Sequence, residues 1–238
     1  MTDIADIWSY LASGPLLWLT ATLVAYLAGA WLQTLSGKKP WVNPVLIAVA
    51  LLAVVLLATG TAYDTYFEGA QFVHFMLGPA TVALAVPLYD NRALIRAASL
   101  PMLAALLAGS LTAILSALAI AHAFGVTGEV LISLAPKSTT APVALGVAEA
   151  IGGSPTLTAV LVILTGITGA VIAAPILNLL RIRDDRARGF ALGTASHGIG
   201  TARAFQESQT SGAFAGVAMG LNAIVTALIA PLVIQLFL

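Results

Sequence analysis

Apolar runs alternate along the chain with short polar breaks and with stretches interrupted by Pro and Gly. A helix needs about 20 apolar residues to cross about 30 Å of hydrocarbon. Residues 16–35, 44–62, 95–124, 156–180 and 212–238 meet that pattern. Three other stretches, 71–90, 129–153 and 189–206, are apolar but broken. Pro79 and Pro87 break the first, Pro136 and Pro142 the second, and Gly193, Gly198 and Gly200 the third. Proline removes a backbone donor and glycine releases the backbone, so helix is interrupted at these points.

Charge orients these runs. Lys38/Lys39, Arg92/Arg96 and Arg181/Arg183/Arg186/Arg188 form three basic clusters, and short basic loops stay on the cytoplasmic side. Asp3/Asp6, Asp64/Glu68 and Glu129 mark the opposite face. Residues 71–90 must then cross inward to reach Arg92. Residues 129–153 begin and end outside, and 189–206 begin and end inside. The chain is therefore predicted to be an all-α polytopic membrane protein. It forms a single transmembrane domain over residues 1–238, with about six full transmembrane helices and two broken re-entrant hairpins entering from opposite faces. The rival, 129–153 as one unwound crossing, places the four-arginine cluster outside. A shift of 57 residues aligns Leu77, Pro79, Val86, Gly109, Ala113 and Ala117 with Leu134, Pro136, Val143, Gly166, Ala170 and Ala174. Residues 71–124 and 129–180 thus form a candidate internal repeat, each a broken segment followed by a long helix, a plan common in transporters. The acidic start, Met1 to Trp8, lacks the basic n-region of a cleavable signal and reads as a mature N-terminus.

Composition agrees with a bilayer. Of 238 residues 60% are hydrophobic and 8% charged, with a mean hydropathy of +1.00; a soluble domain carries about a quarter charged residues. Net charge is zero, which gives no basic face for nucleic acid. There are no cysteines, which excludes disulfides and thiolate metal sites. His74, His122 and His197 show no paired ligand spacing, so neither a metal nor a cofactor is expected. Ser196 beside His197 is not a nucleophile–base pair by adjacency alone, and no Walker sequence is present. An enzyme is not expected.

Two motifs carry chemistry. In Leu134-Ala-Pro-Lys-Ser-Thr-Thr-Ala-Pro142, two prolines bracket Lys137, Ser138, Thr139 and Thr140. Irregular backbone at membrane depth is tolerated only against protein or a watered cavity, and a buried lysine is costly unless paired or hydrated. The half-helix after Pro142 would point its positive end at an anion. The functional reading is a carboxylate-binding tip; the plain one is an extracellular loop with a snorkelling lysine. In Gly193-Thr-Ala-Ser-His-Gly-Ile-Gly-Thr-Ala-Arg203, small residues allow close approach, while Thr194, Ser196, His197, Thr201 and Arg203 offer donors and a titrating ring. Its plain reading is a glycine-rich turn. His197 and Glu149 are the candidates for proton coupling. Asn222 reads as a bond to another helix, and Gly212, Gly216 and Gly220 as a close-packing face.

At these motifs the sequence resembles the LrgB/CidB family of bacterial membrane proteins. The matching stretches are Tyr63-Asp-Thr-Tyr-Phe67, Leu84-Ala-Val-Pro-Leu-Tyr89, Leu134 to Pro142, Arg181-Ile-Arg183 and Gly193-Thr-Ala-Ser-His-Gly198. The resemblance implies a multi-pass protein of the bacterial cytoplasmic (inner) membrane. It also implies either antiholin-like regulation of murein hydrolase export and lysis beside a small LrgA/CidA-type partner, or transport of small acids. Relatives of the second kind include pyruvate transport systems and the plant plastidial glycolate/glycerate translocator. The expectation is a secondary transporter of small monocarboxylates working by alternating access, and a homo-oligomer. The alternative is a non-transporting regulator. Lys137, His197 and Arg203 at membrane depth argue against a pure scaffold, because each would be held there at a desolvation cost.

Overall fold

The computed structural model describes residues 14–39, 41–76, 79, 82 and 85–237. These residues form helices and turns, without a strand among them. The predicted N-terminal segment lies outside them, as do residues 77, 78, 80, 81, 83 and 84 of the break at 71–90. The chain divides into two compact units, Met1–Ala83 and Leu84–Leu238.

In the first unit, α1 (Pro15–Leu35), α2 (Pro44–Thr59) and α3 (Tyr63–Phe75) pack together. The Asn43 side chain caps α2 by accepting from the amides of Val45 and Leu46. Gly60, at φ +63°, ends α2 in the left-handed conformation that favours glycine. Gly69 lies so close to the Pro15 carbonyl and Trp18 that a Cβ would collide with them. The ring of Trp18 meets Tyr66 edge-on at 5.8 Å. At 16 residues, α2 is about 24 Å long, short of the full crossing expected for 44–62.

The second unit begins with α4 (Ala85–Asp90) and α5 (Arg92–Ala97), followed by α6 (Ser99–Ala123). The run 95–124 is therefore broken at Ala98, between α5 and α6. Next come α7 (Gly128–Leu134), α8 (Ala141–Ala150), α9 (Pro155–Leu179), α10 (Asp185–Glu207) and α11 (Gln209–Ile234). Among the described residues four helices, α1, α6, α9 and α11, are long and apolar enough to cross a membrane. Large side chains such as Leu100, Phe124, Leu179 and Leu228 point outward, as lipid contact requires. The chain is a multi-pass helical membrane protein.

The core of this unit is built on α6 and α11. Ile114 and Leu118 of α6 join Ala230, Val233 and Ile234 of α11 in one cluster, packed against Leu131, Ile132 and Ala135 from α7 and its end and against Val147 of α8. Met102 and Leu106 join Phe214 and Ala218 in another, packed against Phe190 of α10. The α7–α8 segment thus lies against the C-terminal halves of α6 and α11, and α10 against their N-terminal halves.

Both broken segments fold back on themselves. Ser154 N donates to Ser133 Oγ at 2.8 Å, and Thr158 Oγ1 to Ser133 O at 3.1 Å, so the exit of α8 returns to α7. In α10 the helix is interrupted at Ser196 (φ −134°, ψ 17°) and His197 (φ 41°, ψ −132°). Its ends meet: Ser208 Oγ donates to Asp185 Oδ2 at 2.7 Å, and Arg188 pairs with Glu207 at 3.1 Å. A straight 23-residue helix would hold those ends about 33 Å apart. Gly200 makes the turn fit, since a Cβ there would lie 2.5 Å from the Leu192 carbonyl oxygen.

Small residues set the packing of α10 on α11, but not the ones expected. A Cβ on Gly189 or Gly193 would overlap the carbonyls of Ser211 or Ala215. By contrast, Gly216 and Gly220 have open space, and only Gly212 of the predicted trio is tightly approached, by the Phe205 ring. The close-packing face belongs to the start of α10.

Candidate functional site

The two interruptions arrive at the same place, halfway along α6 and α11. Asn222, 1% exposed, donates through Nδ2 to the carbonyls of Ser138 in the first break and Thr194 in the second, both at 3.1 Å. Its Oδ1 accepts from Ser110 Oγ of α6 at 2.6 Å and from Thr226 Oγ1 at 3.3 Å. Carbonyls at a helix break lose their helical donors, and one buried amide supplies a donor to both breaks. Sequence reasoning gave Asn222 a single interhelical bond; its role as a link between the breaks was missed.

The second turn is fitted to α9. A Cβ on Gly169 would collide with Ser196 Oγ, and one on Gly166 would come within 2.6 Å of the His197 ring. His197 Nε2 lies 2.9 Å from the Val162 carbonyl, which only accepts, so the ring is protonated at that nitrogen. Thr201 Oγ1 donates to the His197 carbonyl at 2.8 Å. These contacts hold a non-glycine residue at positive φ, a conformation costing about 1–3 kcal/mol and found mostly at functional sites. Gly109 of α6, aligned with Gly166 by the 57-residue shift, faces the same turn. A Cβ there would lie 3.2 Å from Thr194 Cγ2.

A cavity of about 380 Å³ opens where the breaks meet, walled by Lys137 and Ser138, by Ala195 and Ser196, and by Thr165, Thr168 and Gly169 of α9. Lys137 is half-buried, and its amine donates to Ser138 Oγ at 3.2 Å. No carboxylate pairs with it among the described residues. Ser196 Oγ and Thr139 Oγ1 are buried without a hydrogen-bond partner. The site thus combines one cation with hydroxyl donors and no acid, a donor set for a small anion. Thr165 and Thr168, in an unbroken helix, carried no signal that placed them there.

The remaining expected residues do not line this cavity. Thr140 precedes α8, whose first turn contains Pro142, and Pro136 is buried in the break. The Thr194 hydroxyl donates to the Phe190 carbonyl at 2.9 Å. Gly198 follows the turn with open space nearly all round. Arg203 is elsewhere: it reaches Glu207 at 3.8 Å and Gln206 at 3.1 Å, toward the base of α10. Glu149 is exposed in the last turn of α8. Pro79 lies in the sparsely described stretch 77–84. Pro87, expected to break a helix, is instead the third residue of α4, in a first turn whose amides have no helical acceptor to lose.

Outside the apolar helices, Asp184 caps α10 by accepting from Arg186 N at 2.8 Å and pairs with its guanidinium at 2.6 Å. The Arg186 hydrogen bonds hold the Asp184 carboxyl at about 2, below its ordinary 3.8.

The LrgB-like family model matches residues 22–236. The chain is 37% identical to the Bacillus subtilis protein YxaC, over 91% of this chain and 94% of that one. It is 38% identical to YwbG of the same organism, over 91% and 96%. It is 34% identical to the holin-like protein CidB of Staphylococcus aureus, over 93% and 96%. No solved structure matches.

Proposed function

The chain belongs to the LrgB-like family, and on that premise we propose that it is a secondary transporter of small monocarboxylates of the pyruvate, lactate, glycolate or glycerate type. One observation carries this reading. Where the two breaks meet, the amine of Lys137, without a carboxylate partner among the described residues, shares a cavity with the unpartnered hydroxyl of Ser196. An unpaired ammonium at membrane depth is costly, and a bound carboxylate offsets that cost while hydroxyls fix its orientation.

In this account α7–α8 and α10 are re-entrant hairpins from opposite faces, with about six full crossings and the arginine cluster at 181–188 on the cytoplasmic side of the inner membrane. Lys137 binds the carboxylate. Ser138, Thr139, Thr140, Ser196, Thr194 and Thr201 supply or hold hydroxyl and backbone groups around it. Half-helices starting at both turns add their positive ends. Alternating access moves the hairpins against the long helices, and 71–124 and 129–180 act as related halves. Proton coupling uses His197 or Glu149. The protein works as a homo-oligomer, with a small LrgA/CidA-type membrane partner as a second component.

The holin-like name of the staphylococcal relative favours a second reading, a non-transporting regulator of lysis. Uptake of labelled pyruvate, lactate and glycolate into proteoliposomes, with and without a pH gradient, separates the two. Transport predicts saturable uptake that Lys137→Ala abolishes. A regulator predicts no uptake and undiminished partner binding by the same variant.

A further inference from the structure

A second cavity, of about 570 Å³, lies between α5–α6 and the first arm of α10. At one end it is bordered by Asp184 and Arg186, paired with each other at 2.6 Å. At the other it reaches the turn of α10. Along its length Ala105, Gly109 and Ala113 of α6 share it with Ala187, Ala191 and Ala195 of α10, each set recurring every fourth residue as one face of a helix does. Thr194 also borders it, but its hydroxyl is satisfied by the Phe190 carbonyl.

The two cavities have only Ala113 and Ala195 in common. Immediately past Ala195 stands Ser196, 1% exposed, whose hydroxyl has no partner and lies in the wall of the inner cavity with Lys137. A space with facing rows of small residues, flanked by Met102, Phe190 and Phe214 and ending at an unpartnered hydroxyl and an amine without a carboxylate partner among the described residues, has the order of a vestibule followed by a site. Arg186 at the mouth is already paired with Asp184, and the Ala and Gly positions beyond it offer a passing anion no cation, so the first cation without a carboxylate partner that it meets is Lys137.

We propose that the larger cavity is the route by which a small carboxylate reaches Lys137 from the arginine-bearing end, and that Ala113 and Ala195 form its size-limiting neck. The proposal rests on the transport reading and adds to it the path and the residues that bound the size of the cargo. Branched or aromatic acids are excluded at the neck, not at the lysine.

The absence of cysteine from the chain allows a test on full-length protein in liposomes, using single-cysteine variants and a membrane-impermeant anionic methanethiosulfonate. Ser138→Cys reports on the inner cavity, Ala191→Cys on the route, and Ile176→Cys, half-exposed on α9, on the lipid face. The expected result is that Ser138→Cys and Ala191→Cys are modified from the arginine-bearing side far faster than Ile176→Cys. Adding Ala113→Leu should slow modification of Ser138→Cys from that side tenfold or more and leave Ala191→Cys unchanged. Ala195→Leu should do the same, and serves if Ala113→Leu folds poorly. Two results overturn the proposal. One is Ala191→Cys reacting no faster than Ile176→Cys, which means that lipid chains fill the cavity. The other is Ser138→Cys reacting equally fast with either neck substitution. The readout is thiol access, not flux, so a chain that labels as expected but takes up no carboxylate counts against transport and leaves the route standing.

Discussion

Asn222 uses both its donors and both lone pairs, on partners 28, 84, 112 and four residues away in sequence. Replacing it with Ala strands two carbonyls and two hydroxyls. A buried unsatisfied group costs about 1–3 kcal/mol, while polar pairs within membranes average about 0.6 kcal/mol. Asn222→Ala is therefore expected to destabilise the protein by about 2–3 kcal/mol, read as a lower melting temperature in detergent. Gly169 makes a sharper test. Gly169→Ala drives a methyl into Ser196 Oγ and should abolish carboxylate binding, and Ser196→Gly in the same chain should restore the fold of the turn. An unchanged melting temperature and affinity in Gly169→Ala would refute that packing. Lys137 and Ser196 were legible in the sequence because a lysine and a Ser-His pair stand out among apolar neighbours. Asn222, Thr165 and Thr168 were not, because nothing local distinguishes a link or a cavity wall from an ordinary polar residue in a helix.

The interruptions themselves could be read from Pro136, Pro142, Gly193, Gly198 and Gly200, and the structure places non-helical backbone within both predicted stretches. What the sequence misjudged was spacing and partnership. The second hairpin starts earlier than 189, because its base is closed by Asp185 with Ser208 and Arg188 with Glu207, and charged residues gave no apolar signal there. The break at Ala98 is marked by Pro101, which has no amide to offer the Ala97 carbonyl, but the continuous apolar run around it hid that signal. At the base, Glu207 lies between Arg188 and Arg203, so Arg203→Ala should lower the melting temperature and leave carboxylate affinity within about twofold. A large loss of affinity would instead place Arg203 in the site. The cap of α10 gives a pH test. Because Asp184 is held at about 2 in the fold against an ordinary 3.8, the unfolded chain takes up its proton first as pH falls. The contribution is complete above about pH 4 and disappears as pH approaches 2. Charge attraction in this half-exposed pair is screened by solvent, so the cap dominates. Asp184→Ala should cost about 1 kcal/mol at pH 7 and little near pH 2, measured by thermal unfolding at both.

At the scale of the whole molecule, hydropathy was sufficient for a multi-pass helical protein, since 8% charge cannot coat a water-soluble surface of this size. The arrangement of the Leu84–Leu238 unit was partly legible: charge placement called for two segments that return to the face they left, and α7–α8 and α10 both fold back. Their meeting at one residue of α11 was beyond the sequence, because that register is set by long-range packing on α6 and α11. The central claim is that this meeting point is a small-anion site. Equilibrium binding of labelled pyruvate and glycolate to the purified full-length protein tests it most directly, with Lys137→Ala and Ser196→Ala compared with Arg203→Ala. The account predicts saturable binding that Lys137→Ala removes, Ser196→Ala weakens about tenfold and Arg203→Ala spares. Binding that survives Lys137→Ala unchanged, in protein that melts like the parent, would contradict it.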